Sequence, residues 1–170
     1  MKIRDERAED YKGIKALNDL AFQGPVEGEI VDKIRSASAD IISLVAADKN
    51  GLIGHIFFSP GTAISGEGEI KGMGLGPMAV LPEHQNKGVG SALVREGLKI
   101  LRKKDCPFVI VLGHKDYYPR FGFETASKYG ISSQWEGVPD EAFMVLFFDR
   151  SLAGRVSGVI RYRHEFNEAV

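Results

Sequence analysis

The chain of 170 residues holds one cysteine, Cys106, and one tryptophan, Trp135. A lone cysteine excludes an internal disulfide, and with it the stapled scaffolds typical of small secreted domains. Cys106 precedes Pro107 at a strand start with no charged partner pattern beside it, which fits a buried structural thiol rather than a nucleophile. No apolar run approaches the ~20 residues of a membrane-spanning helix. The opening MKIRDERAEDYKG lacks the apolar core of a secretory leader. A cytoplasmic protein without a membrane partner is the expectation. Neither charge sign is in excess: 22 Lys and Arg stand against 23 Asp and Glu, for a net charge of -1. Global attraction to nucleic acid or to an acidic membrane is thereby excluded. His and Cys never cluster at metal-ligand spacing, so no metal is expected. Repeats, low-complexity tracts and linkers are lacking too, and residues 1–170 read as a single domain with an ordinary core.

What is present alternates between strand and helix periods. MKIRDE reads as a short first strand. Ile14, Leu17, Leu20 and Ala21 recur at helical spacing over residues 8–22, and Ile30, Val31 and Ile34 share a face after Pro25. Two apolar runs flank Asp48-Lys49-Asn50-Gly51, a strong hairpin signal. A second hairpin is expected around Gly66 and Gly68. Between Gly72 and Val80 the glycines and Pro77 point to a bulge or a broken edge rather than a regular central strand. Residues 88–104 read as a helix whose stripe of Leu93, Val94, Gly97, Leu98 and Leu101 suits packing on a sheet. Its basic end, Arg102-Lys103-Lys104, reads as a solvated terminus. CPFVIVLGH and EAFMVLFFD read as buried strands, KDYYPRFGFE as a short aromatic helix or turn, and GVIRYRHEF as a final strand able to pair within the chain or across a homodimer. The class is mixed α/β, with early hairpins and one strand–helix–strand crossover.

Gly88 and Gly90 open the long helix, where glycine costs about 1 kcal/mol relative to alanine. A strand feeding a glycine turn into a helix start gathers free N–H groups and the positive end of the helix dipole, an arrangement that suits a phosphate anion. The turn is not a Walker loop, because Gly-x4-Gly-Lys-Ser/Thr is missing. Nor is it a dinucleotide fingerprint, because the third glycine is absent and no acidic residue follows about 20 positions later.

Gln85-Asn86-Lys87-Gly88-Val89-Gly90 resembles the Gln/Arg-x-x-Gly-x-Gly/Ala signature of the GNAT N-acetyltransferases. The preceding MAVLPEH is similar to that family's strand and turn, and Tyr118-Pro119-Arg120-Phe121-Gly122-Phe123 resembles its Tyr-x-x-x-Gly-Phe segment. The three pieces occur in the family's order and cover residues 75–124. The resemblance implies a GNAT-type acyl-CoA N-acyltransferase fold: a mostly antiparallel central sheet with splayed strands 4 and 5, flanked by helices. It implies acetyl-CoA as co-substrate and a primary amine as acceptor, either a small molecule or a peptide. By the same resemblance, main-chain groups of Met78, Ala79 and Val80 pair with the pantetheine arm. The backbone from Gln85 through Asn86, Lys87, Gly88, Val89 and Gly90 to Ser91 holds the pyrophosphate.

Tyr118 aligns with the family's general acid, and a phenol is protonated at neutral pH. Tyr117 beside it is the alternative, with Tyr117 as the core aromatic if Tyr118 is the acid. Phe121 and Phe123 read as core, and Gly122 as a turn. A base is harder to place, because Met73–Val80 contains none of the carboxylates that many family members carry there. Glu27, Glu29, His55 and His114 remain candidates, and histidine suits proton exchange near neutrality. Each also has a structural alternative as a solvated or hydrogen-bonded group. The acceptor side falls by analogy on the first 70 residues and on residues 127–140, where Trp135 is either a binding residue or a cap on the core. A non-catalytic acyl-CoA-binding regulatory module on the same fold is the competing reading, favoured by the missing carboxylate. A Rossmann-like nucleotide binder is disfavoured by the early hairpins.

Overall fold

Turn chemistry decides where the first strands end. In the computed structural model, which describes residues 1–37, 40–66 and 68–170, β1 (Lys2–Asp5) pairs antiparallel with β2 (Ile42–Asp48), and β2 with β3 (Gly51–Ser65). Gly51 takes φ of 121°, and Asp48 Oδ1 accepts the Asn50 amide at 2.7 Å, closing the expected hairpin. The second hairpin joins β3 to β4 (Gly68–Val80), with Glu67 outside the described residues. Three helices follow the apolar periodicities: α1 (Tyr11–Phe22), α2 (Val26–Ala37) and α3 (Val89–Lys103). Alpha3 is one residue shorter at each end than the spacing predicts. Gly88 lies outside it at a φ no helix uses, and the basic end closes at Lys103.

The chain forms two compact units. The first comprises Met1–Phe58, Gly76–Ile100 and His164–Val170. Its core includes Ile14, Leu44, Val45, Ile56, Phe57, Phe58 and Leu93, all at most 1% exposed. Alpha3 crosses close to β3: a Cβ on Gly97 would stand 2.4 Å from Phe58 Cε2, so only glycine admits this approach. The C-terminal 3-10 turn, His164–Ala169, is tied to α2 by Lys33 and Glu168 at 2.8 Å.

The second unit comprises Ser59–Leu75 and Leu101–Arg163. Here β4 lies between β3 and β5 (Phe108–Leu112) in the hydrogen-bonded order, followed by β8 (Phe143–Phe147) and β6 (Glu124–Thr125). Met73–Leu75 run parallel to Val109–Val111. β5–β8 and β8–β6 are antiparallel. β9 (Gly158–Arg161) pairs within the chain, antiparallel to β3 and parallel to β7 (Ile131–Ser133).

The mixed architecture and mostly antiparallel sheet match the sequence reading. Beta4 corrects it in part: Met73–Leu75 are central, paired with β5, and that pairing ends before Gly76 and Pro77. Its glycines make room for aromatic rings: a Cβ on Gly74 would lie 2.6 Å from Tyr162 Cε1. The final strand is also shorter than read, ending at Arg161 before the 3-10 turn.

Candidate active site

The end of β4, Met78–Val80, leads through Leu81 and a 3-10 turn at Pro82–His84 into the glycine loop. The Leu81 amide donates to the Ile53 carbonyl at 2.9 Å, holding the strand end on β3. Asn86 and Gly88 take left-handed φ values of 60° and 86°. Gln85 Nε2 donates to the Val80 carbonyl at 3.1 Å, and Lys87 Nζ to the Glu83 carbonyl at 2.9 Å, so both side chains brace the loop itself. The first helical bond of α3 runs from the Ala92 amide to the Gly88 carbonyl at 3.0 Å. The amides of Val89 and Gly90 precede it, at the positive end of the helix dipole. Asn86, Lys87 and Gly88 are exposed, and Val89 is buried. Nothing lies within 4 Å of a Cβ built on Gly88, so its glycine answers the backbone turn rather than crowding. Every turn residue singled out in the sequence, through Gly90 and Ser91, therefore belongs to one continuous strand–loop–helix segment in the first unit.

In the second unit, β5 ends at Leu112, and Tyr118 begins a 3-10 turn that closes at Gly122, with φ of 98°. The Tyr118 ring meets Tyr117 and Phe123 edge-on, with centroids 5.0 and 5.7 Å apart. A Cβ on Gly113 would come within 2.3 Å of it. Tyr118 is only 7% exposed, and burial pushes its hydroxyl above the ordinary phenol range, so it stays protonated at neutral pH. Tyr117, expected as the core aromatic, is the more exposed of the two, with the Arg120 guanidinium 4.5 Å from its ring centre. Phe123 is core at 2% exposure, whereas Phe121 is half-buried.

Of the candidate bases, His55 is corrected by the structure. It is fully buried on β3, with Asn18 Nδ2 3.1 Å from its Nδ1 and Ser43 Oγ 2.9 Å from its Nε2. Burial and the nearby Arg35 charge depress its pKa to about 3. An imidazole so enclosed is a core group. Glu27 is half-buried, and Glu29 and His114 are exposed. A carboxylate that the sequence reading passed over, Glu165, is 7% exposed with Oε1 3.3 Å from His164 Nδ1. In the sequence it falls at the tail of GVIRYRHEF, where nothing marks a carboxylate for burial. Cys106 is half-buried rather than fully buried; its Sγ donates to the Phe108 carbonyl at 3.3 Å, and burial pushes the thiol up, which leaves it a weak nucleophile. Tyr162, also unmarked in the sequence, donates its hydroxyl to the Leu75 carbonyl at 2.7 Å and stacks with Trp135 at 5.6 Å. Among the described residues, no group of three or more His, Cys, Asp or Glu could hold a metal ion, and no helix is long and apolar enough to cross a membrane.

A family model for the acetyltransferase (GNAT) domain matches residues 2–126, which include both the glycine turn and Tyr118. The chain belongs to the GNAT acetyltransferase family. Among its GNAT relatives is an uncharacterized N-acetyltransferase, YhbS, of Escherichia coli K12, 33% identical over 98% of this chain and 99% of that one. The crystal structure of Escherichia coli YhbS in complex with CoA superposes with a TM-score of 0.89, covering 98% of this chain and 91% of the other. A GNAT family acetyltransferase from Brucella melitensis, solved in complex with acetyl-CoA, is 35% identical, with a TM-score of 0.77 and 97% of both chains covered. The GNAT fold is thus shared along nearly the entire chain.

Proposed function

We propose that this acetyltransferase moves an acetyl group from acetyl-CoA to a primary amine by direct attack, with Tyr118 as general acid. The observation that carries the reading is the left-handed Asn86–Gly88 turn opening α3 in a chain that shares its fold with relatives solved with CoA and acetyl-CoA. The main-chain amides from Gln85 to Ser91 hold the pyrophosphate, as helix N-termini do. The main chain of Met78, Ala79 and Val80 pairs with the pantetheine arm in the manner of an added strand. The amine, once neutral, attacks the thioester carbonyl. The tetrahedral intermediate then collapses, the C–S bond breaks, the leaving thiolate takes the Tyr118 proton, and the proton lost by the acetylated nitrogen restores the phenol. Burial holds Tyr118 in its protonated form, so the donor is loaded at neutral pH.

The acceptor in this reading is a small-molecule or peptide amine in the cytoplasm. Residues 1–170 act as one acetyltransferase domain, and a homodimer is compatible with it. The test is Tyr118→Phe assayed beside the native chain. Turnover should fall about 10²- to 10⁴-fold, the usual contribution of a general acid, while acetyl-CoA still raises the melting temperature. At 100 times its Kd a ligand adds ~2.7 kcal/mol. Unchanged turnover would remove Tyr118 from the mechanism, and no thermal shift would remove the cofactor site. The regulatory-module alternative is favoured by the lack of a carboxylate on Met73–Val80. It predicts the thermal shift without turnover on any amine.

A further inference from the structure

The second unit contains a cleft of about 210 Å³ that the turn and Tyr118 do not use. Its wall is formed by Ser127, Ser133, Trp135, Val138, Asp140 and Phe143 among others. This is below the 300–1,000 Å³ usual for drug-sized ligands, so it suits a fragment of about aromatic-ring size. Asp140 is the one charged residue among those lining it. Ser127 Oγ donates to Asp140 Oδ2 at 2.8 Å, which orients the carboxylate. The nearby lysines are engaged elsewhere: Lys128 pairs with Glu124, and Lys115 with Glu141 at 3.6 Å. The Trp135 indole, in the same lining, is held against Tyr162, tilted 30° with centroids 5.6 Å apart. The amide of Trp135 donates to Ser133 Oγ at 3.1 Å, fixing the loop that carries it.

An oriented carboxylate and two aromatic rings, set among serines, together select one ligand chemistry. The carboxylate draws a cation, the indole favours a cation over its ring, and Trp135 and Phe143 reward an apolar body. We propose that this cleft binds an organic ammonium ion, with the ammonium at Asp140 and an aromatic or alkyl body against Trp135 and Phe143. Acceptors of an acetyltransferase carry such a charge at neutral pH. The cleft is lined by neither the turn nor Tyr118, so as an amine-binding site it stands by itself and does not rest on the transfer reading.

Trp135 is the only tryptophan in the chain, so its fluorescence reports the cleft directly. The probes are 2-phenylethylamine and phenylacetate, alike in ring and opposite in charge, titrated without any cofactor. A saturable change at millimolar amine, absent with phenylacetate and weakened at least tenfold in Asp140→Asn, is expected. Asp140 is exposed, so that variant should keep the native melting temperature, and Ser127→Ala, which frees the carboxylate, should weaken binding less. No saturable change, an equal response to phenylacetate, or undiminished binding by Asp140→Asn would each overturn the proposal. Thermal shift with acetyl-CoA runs in parallel. If acetyl-CoA stabilises the protein while the amine leaves fluorescence unmoved, the cleft proposal falls alone. If the amine binds through Asp140 while acetyl-CoA has no effect, the cleft stands and the transfer reading falls.

Discussion

Ser43 Oγ has one proton and gives it to Glu6 Oε2, 2.6 Å away, so at His55 it can only accept. His55 must therefore carry its proton on Nε2 and accept from the Asn18 amide at Nδ1, which makes it a neutral imidazole of defined tautomer. Glu6 in turn binds Arg35 through a two-pronged contact of 2.9 and 2.8 Å. The expected result is a ring that does not titrate between about pH 5 and 8, where a free histidine would. Nitrogen-15 NMR of the side chain checks this, and a charged ring near pH 6 would contradict it. In the sequence His55 was one histidine among four, and only burial separates it from the exposed His114. Gly88 makes the opposite point, because its turn is legible in the sequence. A φ of 86° is costly for any side chain, about 1–2 kcal/mol. Gly88→Ala should lower the melting temperature by that measure and weaken acetyl-CoA binding, read by calorimetry. Unchanged affinity would mean the amides beyond it do not hold the cofactor.

Alpha3 was readable because its apolar stripe repeats at the helical period over four turns, and β5 and β8 because buried strands are continuous apolar runs. Beta6 and β7 were not, since two and three residues are too few to show alternation. Beta4 was misread for a specific reason: the glycines that weaken strand propensity also receive Phe108 and Tyr162, and those rings come from far along the chain. Two outcomes follow from this packing. Gly97→Ala puts a Cβ where Phe58 Cε2 stands, at 2.4 Å, and overpacking of that kind costs about 1–3 kcal/mol. Urea denaturation should show it, and native stability would mean α3 can lift from β3 freely. Tyr162→Phe leaves the buried Leu75 carbonyl without the 2.7 Å hydroxyl bond. About 1–3 kcal/mol should be lost by the same assay.

Acid stability of the complete chain should fall in two stages. His55 has a folded pKa near 3 against 6.5 when free, so the unfolded chain takes up a proton first as pH drops. Its contribution is whole above about pH 6.5 and declines below it, by at most about 1.4 kcal/mol per pH unit. Asp10, held down by Arg4, and Glu124, lowered to about 2 by Lys128 and Tyr129, contribute above the ordinary carboxylate range. Their share is lost only as pH falls below it. Glu124 is partly solvent-screened, which limits its weight. Urea midpoints against pH should therefore plateau above about pH 6.5, and a midpoint that is flat down to pH 5 would contradict the assignment of His55.

The sequence by itself determined the fold class, the family and the glycine turn, because these rest on local periodicity and on short motifs whose chemistry lies in neighbouring residues. Tertiary structure alone decided that His55 is buried and neutral, that β4 is central, and that Glu165 is buried. It also brought Trp135, Asp140 and Phe143 around one cleft. The first three depend on contacts between segments distant in sequence, which set burial and dielectric and leave no trace in local spacing, whereas the cleft depends on how residues 126–143 fold back on themselves.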